Sequence, residues 1–180
     1  MVALHFLTRG KTRISGVVHV NHGTPYAAQA ESLVAATCER IGIPLDVHRI
    51  GLSTEQGWSD ERRRIFNGYE ARVMTAHHLD DVVEWYVYTS LRYGMGRVTP
   101  FQTGNVVHPF RLNSKATLRA YAWDHNVDFC EDPTNEDGCS NARAKIRSIR
   151  SVLDSLAPNL IGDVRRMIAA ERLGLDSLPG

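Results

Sequence analysis

The 180 residues fit one domain of ordinary size with room for a helical appendage, and an apolar fraction of 43% supports a real core. A formal net charge of +1 excludes a chain whose bulk electrostatics alone would gather nucleic acid. Three cysteines without CxxC pairing argue against a disulfide frame and for free thiols in a reducing compartment; with no signal-peptide pattern and no membrane-length apolar run, the expected location is the cytoplasm.

Short apolar runs alternate with amphipathic stretches, which predicts βα units around a parallel sheet. Residues 1–7 (MVALHFL) read as the body of a helix, since no capping residue or first-turn acid opens them. A doubly wound domain that opens on a helix is expected to lack its first strand and the ligand loop behind it. Residues 14–20 (ISGVVHV) form a buried strand, and 27–41 a helix closed by Gly42. A second strand is expected at 44–50, then an arginine-rich helix from Ser59 to about Tyr69. Residues 73–76 (VMTA) make a third strand and 79–92 a long helix. Beyond the loop 93–104 follow a short strand near 106–108, a helix at 114–125 and a strand at 127–130. That strand runs into the loop EDPTNEDGCS, and from Asn141 the chain is helical with a break at Pro158. Residues 17–20, 45–50 and 73–76 are expected in one parallel sheet. An α/β domain is placed at 1–140 and a helical tail at 141–180.

Three places carry chemistry. His19, Asn21, His22 and Gly23 close the first recognisable strand, and open α/β sheets bind ligands beyond the carboxyl ends of their strands. Two histidines alone are a thin basis for a metal site, and a strand end with a hydrogen-bonded Asn and a turn Gly would look the same. In the second place, TAHHLDDVVEW at 75–85, a strand passes directly into a helix, whose free N–H groups and positive potential suit an anion. His78 and Asp81 lie one turn apart there, as do Asp81 and Glu84, and carboxylates beside a phosphate site can hold Mg²⁺. A bare Asp-Asp pair would only complement the helix dipole; the two histidines, the preceding strand and the glutamate favour a functional role. In the third place, EDPTN at 131–135 precedes Arg143, Lys145, Arg147 and Arg150, with no acid from 141 to 150. Arg143 and Arg147, one helical turn apart, make a fork for phosphate or an RNA backbone, although a solvated basic face would carry the same residues.

Five blocks, in order and spacing, resemble the catalytic domain of tRNA(Ile)-lysidine synthetases, N-type ATP pyrophosphatases of the PP-loop class. They are HVNHG at 19–23, TAHHxDDxxE at 75–84, LRxGxG at 91–96, the stretch from His108-Pro109 through Tyr121-Ala122 to EDPTN, and RxxIR at 143–147. The likeness extends to about residue 160. It implies a Rossmann-like sheet of the adenine nucleotide α-hydrolase type and an enzyme that uses ATP and Mg²⁺ to adenylate C2 of the wobble cytidine in tRNA(Ile). The amine of free lysine then displaces AMP.

By the same resemblance, His78, Asp81, Glu84 and Arg92 stand at the catalytic centre, with Asp81 and Glu84 available to Mg²⁺. His19, Asn21, His22, Gly23 and His77 are assigned to the nucleotide. Asp132, Asn135, Arg143, Lys145, Arg147 and Arg150 are assigned to tRNA. The chain departs from the pattern in several places. The SGGxDS loop that cradles pyrophosphate is absent, and is expected upstream or on a separate polypeptide. Trp85 stands for the usual Thr, Ala144 for Asn, and HPF from His108 for RPL. The C-terminal RNA-binding domains of longer members are likewise not found in these 180 residues. The rival class is a non-catalytic module that binds tRNA or a protein. Thiolation of tRNA would call for a pair of catalytic cysteines, which Cys130 beside EDPTN does not supply.

Overall fold

A computed structural model describes residues 1–11, 13–51, 54–130 and 142–173, apart from the side chains of Glu55 and Arg143. The chain divides into two compact units, Met1–Glu70 with Leu118–Asp132, and Ala71–Thr117 with Pro133–Gly180.

In the first unit, α1 (Val2–Arg9) precedes β1 (Val17–Asn21), α2 (Ala27–Ile41), β2 (Leu45–Arg49) and α3 (Glu55–Asn67). The apolar runs pair as expected: β1 and β2 are parallel, with Val17 opposite Leu45 and Asn21 opposite Arg49. Helix α2 ends on Gly42, whose N–H donates to the Cys38 and Glu39 carbonyls. Helix α3 begins earlier than the expected Ser59. The Thr54 hydroxyl accepts the Gly57 N–H at 3.1 Å, and this cap starts the helix one turn upstream.

The second unit opens with β3 (Val73–Met74) and α4 (Leu79–Tyr93), followed by the hairpin β4 (Gln102–Thr103) and β5 (Val106–Val107). Helix α5 (Lys115–Asp124) starts in this unit and ends in the first, and the Ser114 hydroxyl accepts its Thr117 N–H. Strand β3 is parallel to β5, and β4 is antiparallel to it. The single sheet expected for residues 17–20, 45–50 and 73–76 is therefore corrected: β1 pairs with β2, while β3 belongs to the sheet β3-β5-β4. Strand β3 is only two residues long, and the flanking bonds of Val73 N–H to Asn105 O and Thr75 N–H to Val107 O spend its pairing on β5. Residues 127–130 form no strand either, because the Val127 N–H closes the end of α5 on the Ala122 carbonyl.

The expected helical tail is α6 (Ala142–Ser148), α7 (Arg150–Leu156) and α8 (Leu160–Arg172), with a break before Leu160 as anticipated and a further one at Ile149. Leu79, Val82, Val83 and Val87 of α4 share one buried cluster with Ile146 of α6 and with Val164 and Ile168 of α8, the last two having no exposed surface. The apolar stripe of α4 is thereby covered by the tail, which fixes the direction in which its polar N-terminus points. At its other end the LRxGxG block has a steric meaning. Gly94 takes a left-handed conformation (φ 72°) to stop the helix, and a side chain at Gly96 would strike the Tyr86 ring and the Ser90 hydroxyl. Among the described residues no helix is long and apolar enough to cross a membrane.

Candidate functional site

The start of α4 brings together Asp80, Asp81 and Glu84. The His78 N–H donates to Asp81 Oδ2 at 2.9 Å and the Asp81 N–H donates to His78 Nδ1 at 3.4 Å, a reciprocal box that sharpens the turn from strand to helix. Asp80 Oδ2 accepts the Lys115 N–H at 2.7 Å, while Oδ1 lies 3.8 Å from Arg150 Nη1. One turn on, Glu84 is 5% exposed and faces the Arg147 guanidinium at 3.6 Å. Arg150 also donates to Asp154 at 2.9 Å. Asp80 and Asp81 thus sit in the favourable field of a helix N-terminus, with Arg150 of α7 beside Asp80, and Glu84 one turn on faces Arg147 of α6.

Beside this box stands a second cluster. The Thr75 hydroxyl lies 2.8 Å from His77 Nδ1 and 2.5 Å from His108 Nδ1, and the two rings meet edge to face at 5.2 Å. One hydroxyl carries one proton, so it donates to one imidazole and accepts from the other: one Nδ1 carries a hydrogen and the other does not. Burial, aided by the charges of His77 and Arg111, pushes His108 down to about 4. Arg111 is 2% exposed; burial lowers its pKa, opposed by the charges of Glu171 and Asp81. Its Nη1 makes no hydrogen bond.

The His108 shift has a consequence for stability. The unfolded chain binds a proton at His108 near pH 6.5 and the folded chain only near pH 4, so the stability this site contributes is complete above pH 6.5 and is lost as pH falls toward 4. Between pH 7 and pH 5 the loss is expected to be about 2 kcal/mol. Urea melts at these two values should show it in the parent protein and not in His108→Gln; equal losses in both would reject the assignment.

In the first unit, Asn21 ends β1 with both side-chain groups engaged. Its Nδ2 donates to Glu31 Oε2 at 2.6 Å, and its Oδ1 accepts the Gly23 N–H at 2.8 Å. Glu31 also accepts from Arg49, and the hydrogen bond from Asn21, followed by Arg49, holds its pKa below the usual carboxylate value. His22 tilts against Trp58 at 5.2 Å, and partial burial lowers the pKa of His19. A cavity of about 360 Å³ opens beside Asn21, Gly23, Thr24, Ala27, Arg49 and Gly51, at the carboxyl ends of both strands. Cys38 is buried, which raises its thiol pKa, and Cys130 is half-buried; neither is bonded to another cysteine.

The expected site residues fall into groups. His77, His78, Asp81, Glu84, Arg147 and Arg150 come together around the start of α4. Arg92 is exposed near the far end of that helix, roughly 16 Å along the axis from Asp81. His19, Asn21, His22 and Gly23 belong to the first unit. Lys145 is exposed on α6, whereas Asp132, Asn135, Cys139 and the Arg143 side chain lie outside the described residues. Thr75, Asp80, His108 and Arg111 complete the second unit's cluster without having been assigned a role from sequence. His108 was at least visible as a departure from RPL; Arg111 gave no signal, since an isolated arginine reads as surface. Among the described residues no three of His, Cys, Asp and Glu gather as a metal cage.

Residues 1–154 match the PP-loop domain family. The chain is 34% identical over 176 residues to the tRNA(Ile)-lysidine synthase of Pseudomonas aeruginosa, which covers 89% of this chain and 40% of that protein. It is 32% identical over 155 residues to the enzyme of the same name from Pseudomonas fluorescens, covering 76% and 35%. The chain therefore spans well under half the length of these relatives. Among solved structures it resembles the U34-tRNA thiolase NcsA from Methanococcus maripaludis, with a TM-score of 0.66 over 99% of this chain and 69% of that one. At 14% identity that likeness concerns the fold, an α/β arrangement of Rossmann-like type.

Proposed function

The chain belongs to the PP-loop domain family, and on that premise we propose that it is the ATP-using part of a tRNA-modifying ligase whose product is lysidine. The observation that supports this reading most is the start of α4, where the HHLDDVVE motif folds into a capped, acid-lined helix terminus held by Arg147 and Arg150. Adenylation of a cytidine at an ATP α-phosphate needs positioning and charge stabilisation more than a protein nucleophile. The α4 terminus supplies carboxylates for a cation carried by the phosphates, and His77 stands beside it on Thr75.

ATP supplies the activated adenylyl group, and Mg²⁺ neutralises its phosphates. Asp81 is committed through Oδ2 to the His78 N–H and Glu84 to Arg147, so the two carboxylates fit a cation that arrives on the nucleotide and takes one or two protein oxygens, not a cage that pre-binds it. The phosphate cradle belongs to an SGGxDS-bearing segment, upstream or on a partner. Lysine is the amine, tRNA(Ile) the acceptor, and the cytoplasm the compartment. Among the described basic side chains of the tail's first two helices, Lys145 meets the RNA backbone most directly, since Arg147 and Arg150 are engaged with acids.

The test is the complete gene product, assembled with an SGGxDS-bearing segment, given ATP, Mg²⁺, tRNA(Ile) and labelled lysine. One AMP and one pyrophosphate should be released for each lysine transferred. Binding of tRNA without pyrophosphate release, whichever amine is offered, would assign the chain to the non-catalytic binding class.

A further inference from the structure

Asp81, Trp85, Tyr88 and Arg92 are spaced four, three and four residues apart, so they form one stripe along α4. The stripe starts at the acid-lined terminus and ends on an exposed arginine. Between them the Trp85 indole stacks on the Tyr88 ring, with centroids 5.5 Å apart and an interplanar angle of 29°. Tyr88 is seated against the buried cluster of α4, α6 and α8, which fixes the lower ring of the pair. Tyr93 meets Tyr88 edge-on at 6.5 Å, and the Arg97 guanidinium lies 5.8 Å over the Tyr93 ring. Trp85 is 37% exposed and Tyr93 60% exposed. An exposed tryptophan where the motif usually carries threonine adds apolar surface to water, and the core does not account for it.

The charge of this region indicates what would cover it. Residues 85–117 of the second unit contain no Asp or Glu, and among them Arg92, Arg97 and Lys115 are exposed. That acid-free run begins immediately after Glu84. Beyond the acids of the first turns, aromatic faces interleaved with cations fit single-stranded nucleic acid: bases stack on the rings and phosphates meet the guanidinium groups. A protein partner would more commonly be met by an apolar patch with mixed charge at its rim.

We propose that Trp85, held by Tyr88, is a stacking platform for an unpaired nucleobase of RNA, with Arg92 and Arg97 on the adjoining phosphates. The proposal rests on the tRNA reading above and deepens it: the stripe leads an unpaired base toward the start of α4. Stacking on an aromatic face does not depend on which base is presented, so the platform grips a loop and leaves the choice of base to the polar groups beyond it.

The experiment uses the full chain with Trp58→Phe and Trp123→Phe, leaving Trp85 as the single emitter. Titration with a single-stranded oligouridine should quench its fluorescence, and the affinity should fall as salt is added. Trp85→Ala should weaken binding about tenfold or more, Trp85→Phe should keep most of it, and Trp85→Leu, apolar without a π face, should behave as the alanine variant. Unchanged emission on adding RNA, or full affinity in Trp85→Leu, would overturn the proposal. So would an emission shift that follows protein concentration in the absence of RNA, which would assign the face to a protein contact. If quenching occurs but pyrophosphate is never released, the platform stands and the ligase reading falls. If ligation proceeds with an unaltered tRNA KM in Trp85→Ala, the reverse holds.

Discussion

Asp81→Asn, in the assembled enzyme, is expected to slow AMP and pyrophosphate release by about a hundredfold or more, the scale associated with losing one preorganised polar group at a charge-developing centre. The same change should barely move the melting temperature. Asparagine keeps a side-chain oxygen that can accept the His78 N–H, so the reciprocal cap survives while the charge is lost. Asp81→Ala removes both and should cost about 1 kcal/mol of stability as well, the usual size of a lost helix cap. Comparing the two variants by pyrophosphate assay and by thermal melting separates chemistry from architecture. If Asn retains parent activity while Ala loses it, Asp81 serves only as a cap, and the catalytic assignment at this position is wrong.

Arg147→Ala is expected to destabilise the second unit, by at most about 3 kcal/mol, because it removes a cation that faces the carboxylate of Glu84, 5% exposed. Arg147 is itself about one-third exposed, which places the effect at the lower end for a broken buried pair. Adding Glu84→Gln should restore most of the loss, since the neutral amide needs no counter-charge. A double-mutant cycle in urea measures this coupling directly. Additive effects would show that the two groups merely lie near one another. The cycle also bears on RNA binding: a residue needed to hold Glu84 cannot be read as a free phosphate contact, however basic its neighbourhood in sequence.

What was legible in the chain were features decided within one turn. Gly42 after 27–41, His78 with Asp81 three residues on, and the apolar spacing 79, 82, 83, 87 all announce themselves locally, and all are in the structure. The start of α3 was misplaced because Glu55-Gln-Gly-Trp lacks apolar periodicity, although Thr54 was a readable cap. Strand β4 escaped notice because Gln102 and Thr103 are exposed and too few to alternate. The partnership of Glu84 with Arg147 joins positions far apart in the chain, and that of Thr75 with His108 joins the ends of the parallel strands β3 and β5, 33 residues apart. Periodicity carries no information about such pairings. Composition had placed a basic cluster on the tail, but the net charge of +1 hid both its pairing with the acids of α4 and the acid-free run at 85–117.

The burial of α4 under α8 also sets an order of events during synthesis. Val83 leaves the ribosome well ahead of Val164 and Ile168, the residues that most completely cover its cluster. The gap is roughly 80 residues, or about 4 to 16 seconds at 5–20 residues per second. Until α8 is made the apolar side of α4 is only partly covered, by Ile146 and by Val98 and Leu112, so the nascent second unit passes through a stage that offers sticky surface to chaperones or to neighbouring chains. The motif that gives the site its chemistry is thus made early and sealed late, and a slow codon placed between Leu156 and Arg172 would lengthen its exposure.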